Sequence, residues 1–366
     1  MNKYIYERSD WTNFSWDSEK ISILLGRVNA ARGLLLGKMQ LLGLISQDEI
    51  CLNVVADGIA KSSKIEGEIL DIREVRSSVA HRLGIELDES TVGKRDVDGI
   101  VEATLDAIYD SASPLTEDRL CAWQAALFPS GYSGLQKIAV GRFRDDSRGK
   151  MQVVSGSFGR RKVHYQAPPA EDLEREMSCF LRWFNQDGNS EPVLKALLAH
   201  FWFVTLHPFE DGNGRLARII SEMQLAKADG MPKRFYSLPA RIEKTKKQYY
   251  QVLEDTQRGD KDITAYLVWS LNCLLEAISA SEDAYLLVFA KHRFLHNIPK
   301  YQPNPRQKKI VDLLFGDFKG HLTTSKYASI AKTSQDTAAR DIAQLVSWGV
   351  LTKTGGGRST HYRLSV

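Results

Sequence analysis

The sequence predicts a mainly α-helical protein with one β-hairpin and a small basic domain at its C-terminal end, on three observations. Apolar residues recur at helical spacing through residues 18 to 290, with few alternating runs. One stretch, 152 to 165, breaks that pattern with two short β-type segments around a turn. After residue 303 the charge balance changes: ten Lys or Arg stand against four Asp or Glu, an excess larger than the net +4 of all 366 residues. A hydrophobic content of 43% is enough for a sizeable core, and the length suits two or three domains.

Taken in order, residues 1 to 100 read as a helical N-terminal module that opens with the aromatic Trp11, Phe14 and Trp16. Residues 101 to 290 read as a helical core, with a capped start at Thr116-Glu117-Asp118. Within it, Gln152-Val153-Val154 and Lys162-Val163-His164-Tyr165 flank the turn-like Ser155-Gly156-Ser157-Phe158-Gly159, which predicts the hairpin. Leu194 to Leu206 and Ile219 to Ala226 are apolar helical segments on either side of a polar loop. Residues 291 to 304 read as a linker, because prolines fall at 299, 303 and 305.

Residues 305 to 366 form the last domain. Helices are expected at Arg306 to Leu314, Ser325 to Ala331 and Ser334 to Val346, the last with Ser334 as N-cap. Leu351 to Leu364 alternates around Gly355-Gly356-Gly357, as a hairpin would. The arrangement resembles a winged helix-turn-helix. That resemblance implies that Gln335, Thr337 and Arg340 project from a recognition helix, with Arg358 in the wing beside a phosphate backbone. Asp336 and Asp341 on the same helix oppose DNA contact, and such domains also mediate protein contacts, so DNA, a protein partner and a homodimer all stay open.

Four scattered cysteines, Cys51, Cys121, Cys179 and Cys273, lack metal-ligand spacing and are expected as reduced thiols. The chain begins without a long apolar run, so the expectation is a cytoplasmic protein with no membrane partner.

The densest chemistry lies between the two apolar segments, in His207-Pro208-Phe209-Glu210-Asp211-Gly212-Asn213-Gly214-Arg215-Leu216 closed by Arg218. Gly212 and Gly214 permit backbone angles that turn N–H groups inward as an anion nest at a helix start. Asp211 is a hard oxygen ligand suited to Mg²⁺ bridging substrate phosphates. Arg215 and Arg218 are three apart on one helical face, with forked donors for phosphoryl oxygens. His207 can accept a proton near neutral pH. Any one of these residues alone has an ordinary explanation as turn or core. Phe209 is expected in the core and Glu210 as a solvated loop carboxylate. His200 invites a metal reading, which fails for lack of a third ligand, since Pro208 interrupts the helix.

This run resembles the signature of the Fic family, HPFx(D/E)GNGRxxR, at every fixed position. The resemblance implies a Fic-type helical core that transfers AMP from ATP, with Mg²⁺, to a Ser, Thr or Tyr hydroxyl of a target protein or of the chain itself. His207 would be the general base, with Asp211, Asn213, Arg215 and Arg218 beside it. Asn213 would hold the α-phosphate and the arginines the β and γ phosphates. Removal of AMP by the same site and an ATP-sensing DNA-binding regulator are the alternatives.

Three further segments carry the resemblance. Ser62-Ser63-Lys64-Ile65-Glu66-Gly67 is similar to the family's inhibitory motif, implying that Glu66, supported by Ser62, pairs with Arg218 and withdraws it from the γ-phosphate. Gly141-Arg142-Phe143-Arg144 and the hairpin after it resemble the family's flap, where Val153, Val154, Val163 and Tyr165 would dock a target strand by edge pairing. His164 is expected exposed and not catalytic. Gln248-Tyr249-Tyr250 is similar to a segment bordering the nucleotide, which adds Tyr249 and Tyr250 to Gly212, Asn213, Gly214, Arg215 and Arg218 as ATP contacts. The opening of the chain also resembles the N-terminal domain often joined to Fic cores.

Overall fold

A computed structural model describes residues 4–42, 44–87, 95–155, 162–188, 190–315, 318 and 320–365. The chain divides into two compact units, one of residues 1–41 and 47–279, the other of residues 42–46 and 280–366.

The first unit contains α1 (Ser18–Gln40), α2 (Leu44–Ile65), α3 (Ile72–Leu83), α4 (Arg95–Tyr109), α5 (Glu117–Leu127), α6 (Ala170–Asn185), α7 (Pro192–Leu206), α8 (Asn213–Asp229), α9 (Leu238–Lys244), α10 (Lys246–Gln257) and the first half of α11 (Thr264–His296). Two small antiparallel hairpins interrupt them, β1 (Tyr132–Ser133) with β2 (Gln136–Lys137), and β3 (Gln152–Ser155) with β4 (Lys162–Gln166). The first is too short to show in the sequence pattern. In the second, Val153 pairs with Tyr165 and Val154 with Val163, with a register shift between them.

Helix α7 is the axis of this unit. Pro192 sits in its first turn, where a missing N–H costs nothing, and Glu191 caps it by accepting from the Leu194 N–H at 2.8 Å. Every residue from Val193 to Leu206 is buried. Each fully buried Leu, Val or Phe contributes about 1.5–3 kcal/mol, so apolar burial holds α7 in place. Helix α6 turns Leu173, Met177, Phe180 and Phe184 inward at helical spacing. Two polar residues of α7 are satisfied internally: Lys195 donates to the Gln186 carbonyl at 2.6 Å, and His200 lies between the Tyr249 and Tyr266 hydroxyls at 3.1 and 2.9 Å. His200 is thus a core residue, pushed down by burial to a pKa of about 3 and neutral.

The N-terminal residues pack against this core. Trp11 packs edge-on against Trp202 at 5.9 Å and Phe14 against Phe201 at 5.6 Å, both rings of α7. Ser15 also bridges to the strand-like Asp262.

The second unit holds the rest of α11, α12 (Ile298–Tyr301), α13 (Pro305–Phe315), α14 (Thr324–Ala331) and α15 (Gln335–Ser347), then the hairpin β5 (Leu351–Thr354) and β6 (His361–Leu364). This is the expected order of three helices and a wing, and Ser334 caps α15 by accepting from the Thr337 N–H. Its core includes Ile310, Val311, Leu322, Tyr327, Ile342 and Leu345. Residues 291–304 are not a free linker. Helix α11 runs to His296, and Ile298 and Tyr301 of α12 pack on this core, with Tyr301 stacked on Trp348 at 5.1 Å.

The four cysteines are unpaired, and no helix among the described residues is long and apolar enough to cross a membrane.

Arg234 is 1% exposed and ties the first unit together at the end of α8, bonding Glu222 at 2.9 Å and also Asp229, which accepts from Tyr236 at 3.0 Å. Replacing Arg234 by Ala would strand the buried Glu222 carboxylate and leave buried Asp229 with Arg32 and Tyr236 alone. Urea unfolding of Arg234→Ala should show a loss of about 3–5 kcal/mol.

Candidate functional site

The site is the turn between α7 and α8. The chain leaves α7 at His207 in the left-handed region, φ 50°, which a residue with a Cβ adopts only when its surroundings hold it there. Arg144, 4% exposed, supplies that hold. Its Nε donates to the His207 carbonyl at 2.9 Å, its Nη2 to the Pro168 carbonyl at 2.6 Å, and its backbone N–H to the Pro208 carbonyl at 2.9 Å. Arg144 lay in the segment read as flap, but its clamp on the turn was not foreseen, because that long-range contact leaves no mark in local spacing.

The rest of the turn is fixed by its own residues. The buried Asn213 carboxamide clasps Phe209, accepting from its N–H at 3.0 Å and donating to its carbonyl at 2.8 Å. The expected α-phosphate ligand is thus committed to the loop. Phe209 is fully buried against Phe143 at 5.4 Å, as expected. Glu210 is not a solvated carboxylate. It accepts from the Ala139 N–H at 3.1 Å and from Arg148 at 3.4 Å, tying the turn to the segment before β3.

His207 is partly exposed and its Nδ1 lies 3.1 Å from the Val204 carbonyl. A carbonyl only accepts, so Nδ1 carries the proton, and no hydrogen bond among the described residues occupies Nε2. Burial lowers its pKa from the ordinary value, opposed by the Val204 bond, and the ring is neutral near pH ~7. Asp211 accepts from Ser133 and, at 2.5 Å, from the Gly212 N–H. Among the described residues no cluster of three or more His, Cys, Asp or Glu could hold a metal.

The two glycines serve different purposes. Gly212 has φ 90° and caps α8 without a side chain, and a Cβ there would lie 3.0 Å from the Phe128 ring. Gly214 is helical, so the backbone freedom expected of it is not used. A Cβ at 214 would lie 2.2 Å from Glu66 Oε1. That position is glycine because a carboxylate approaches the helix there.

Both arginines are engaged by the end of α2. Arg218 is buried, with Nε donating to Ser62 Oγ at 2.8 Å and Nη2 to the Ser62 carbonyl at 3.0 Å and to Glu66 Oε1 at 2.7 Å. Burial raises the Glu66 carboxyl, but the Arg218 charge and hydrogen bond and the Arg215 charge outweigh it, so its pKa is lowered. Arg215 donates to Glu68 Oε2 at 2.8 Å and lies over the Phe128 ring at 4.9 Å. Arg215 Nε and Arg218 Nη1 are buried without partners. Two guanidiniums with unfilled donors at a helix N-terminus suit a polyphosphate.

The remaining expected residues separate. Tyr249 is 1% exposed and bonds His200, so it is core and not a nucleotide contact. Tyr250 is half exposed and donates to Glu66 Oε2 at 3.3 Å and to the Ile65 carbonyl at 3.1 Å, bracing the α2 end. Tyr165 points inward, 2% exposed, donating to the Thr205 carbonyl at 2.7 Å, and Val153 packs beside it. Among the expected docking residues Val154 is exposed and Val153 and Val163 are half-buried. Of the expected turn at 155–159, residues 156–159 lie outside the described residues. His164 is no free surface group, because it links Ser155 and Glu254 at 2.6 Å each.

In the second unit Gln335 and Arg340 are exposed on α15, while Thr337 is half-buried and bonded to the cap Ser334. Asp341 does not oppose DNA, because it is buried and accepts from Asn304, Arg306 and Tyr327. The Arg358 side chain lies outside the described residues.

Residues 114–225 match the profile of the Fic/DOC family, residues 4–85 that of a domain of unknown function (DUF4172), and residues 307–365 that of the C-terminal domain of the DIP2311-like transcriptional regulators. The protein adenylyltransferase Fic of Drosophila ananassae is 33% identical over 153 residues, 40% of this chain and 28% of its own. That of Nematostella vectensis is 36% identical over 127 residues, 34% and 27%. The chain thus spans less than a third of the length of these curated relatives. A Fic family protein of Desulfovibrio desulfuricans G20 superposes with a TM-score of 0.53 at 20% identity, covering 96% of this chain and 97% of that one. A Fic domain containing signaling protein of Bacteroides thetaiotaomicron superposes at 0.51 and 18% identity, covering 74% and 97%. The turn from His207 to Arg218 lies inside the segment that matches the Fic/DOC family profile.

Proposed function

We propose that this protein transfers AMP from ATP to a hydroxyl of a target protein and that the form described here is restrained by its own α2. The observation that carries the reading is the turn itself. A neutral His207 with Nε2 open stands beside Asp211 and two arginines whose unfilled donors await an anion. Protein adenylyltransferases of other organisms are similar to part of this chain, and the turn lies in the segment that matches the Fic/DOC profile.

His207 Nε2 takes the proton of the incoming hydroxyl as its oxygen bonds to the α-phosphorus. The bond to the β-phosphate breaks and pyrophosphate departs. Arg144 fixes the height of the imidazole through the His207 carbonyl, Arg215 and Arg218 hold the phosphates, and N–H groups at the α8 start face them. Asp211 would hold Mg²⁺, which neutralises charge on the phosphates. Glu66 keeps Arg218 from the nucleotide, and exposed Val154 on the β3 edge suits pairing with a target strand.

A second reading concerns the C-terminal unit. Its match to a transcriptional regulator domain, the exposed Gln335 and Arg340 and the basic excess support contact with DNA.

With α-labelled ATP and Mg²⁺, Glu66→Gly should raise protein-bound label about tenfold or more, the worth of a charge-assisted hydrogen bond. His207→Ala should lower it about 10²- to 10⁴-fold. Label that is equal in all three proteins excludes the transfer reading.

Because Glu66 has a lowered pKa in the folded protein, its ionised form stabilises the fold above the ordinary value of 4.5, and that stability is lost as pH falls through the folded value. The melting-temperature gap between wild type and Glu66→Gln should be widest near neutral pH and close below that value.

For the C-terminal unit, Arg340→Ala should weaken retention of duplex DNA and lower the slope of log affinity against log salt by about one.

A further inference from the structure

The end of α2 carries a second carboxylate aimed at the same site. Gly67 follows the helix at φ 93°, and two reversed hydrogen bonds close it: the Glu68 N–H donates to the Ser63 carbonyl at 3.1 Å and the Gly67 N–H to the Lys64 carbonyl at 3.1 Å. This is the Schellman termination, in which a left-handed residue folds the chain back over the last turn. It places Glu66 before the glycine and Glu68 after it, one against each arginine, at 2.7 and 2.8 Å.

We infer that Glu68 is a second inhibitory residue, which denies Arg215 to the phosphates while Glu66 denies Arg218. This rests on the nucleotide reading of the site. The chain supplies one carboxylate for each phosphate-facing guanidinium, so the cationic cradle is neutralised in full. An ordinary surface pair would be worth little, but the Arg215 side chain is only 9% exposed, so its partner decides how a largely desolvated charge is satisfied. The two pairs differ in tightness. Glu66 meets an Arg218 side chain that is 1% exposed and is braced by Tyr250, whereas Glu68 is 43% exposed and, among the described residues, its carboxylate meets Arg215 alone. Glu68–Arg215 is the outer latch and yields first to an incoming polyphosphate. Glu66–Arg218 is the inner one. Removing Glu66 alone therefore leaves half the restraint in place.

The test measures binding of ATP without turnover, in full chains that all carry His207→Ala. Adding Glu68→Ala should tighten ATP about threefold to tenfold, the range of an ion pair with one exposed member. Adding Glu66→Gly as well should tighten it further than either change alone. Glu68→Gln keeps the side-chain volume and removes the charge, so it should match Glu68→Ala and serves in its place if the alanine variant melts early. Inorganic triphosphate as a second probe reads the availability of Arg215 even if no protein label ever forms, which separates this inference from the transfer reading. Unchanged affinity for both ATP and triphosphate in both Glu68 variants overturns it.

Discussion

The site depends on one constraint: a non-glycine residue, His207, must be held in the left-handed region at the end of a fully buried helix. Left alone, such a residue relaxes toward ordinary backbone angles. Here Arg144 grips the carbonyls of His207 and Pro208, while Asn213 clasps Phe209 from the other side, so the turn has little freedom. The imidazole direction, the entry of α8 and the facing of both arginines follow from that fixed corner. Rigidity of this kind suits chemistry that relies on placement.

The reach of the sequence was uneven, for physical reasons. The helices from α5 onward and the three-helix-and-wing order near the end were legible, because apolar periodicity and caps such as Thr116 and Ser334 are local signals. The packing of Trp11 and Phe14 on α7 was not, because it spans nearly two hundred residues and nothing nearby announces the partner. Prolines at 299, 303 and 305 suggested a linker, yet Pro299 sits in the first turn of α12, where proline is compatible with a helix.

Within the site, residue types were legible and their allegiances were not. His207, Asp211, Arg215 and Arg218 do converge. Asn213 and Tyr249 point into structure, and Gly214 is glycine for a reason of contact rather than of backbone angle. Tyr250 engages the site from a segment the sequence had singled out and Glu68 from just beyond one, but only the folded arrangement shows whom they touch. Asp341 illustrates the same point in the other unit: an acid on an apparently DNA-facing helix turns out to be an internal anchor for Arg306 and Tyr327.

The absence of a side chain at position 214 makes restraint and tolerance to change mutually exclusive there. A single added methyl would contest the space that the Glu66 oxygen fills, and the carboxylate is the movable party. Any larger residue at that point would act as a wedge, so the quiet form of this protein is maintained as much by a missing carbon as by any charge.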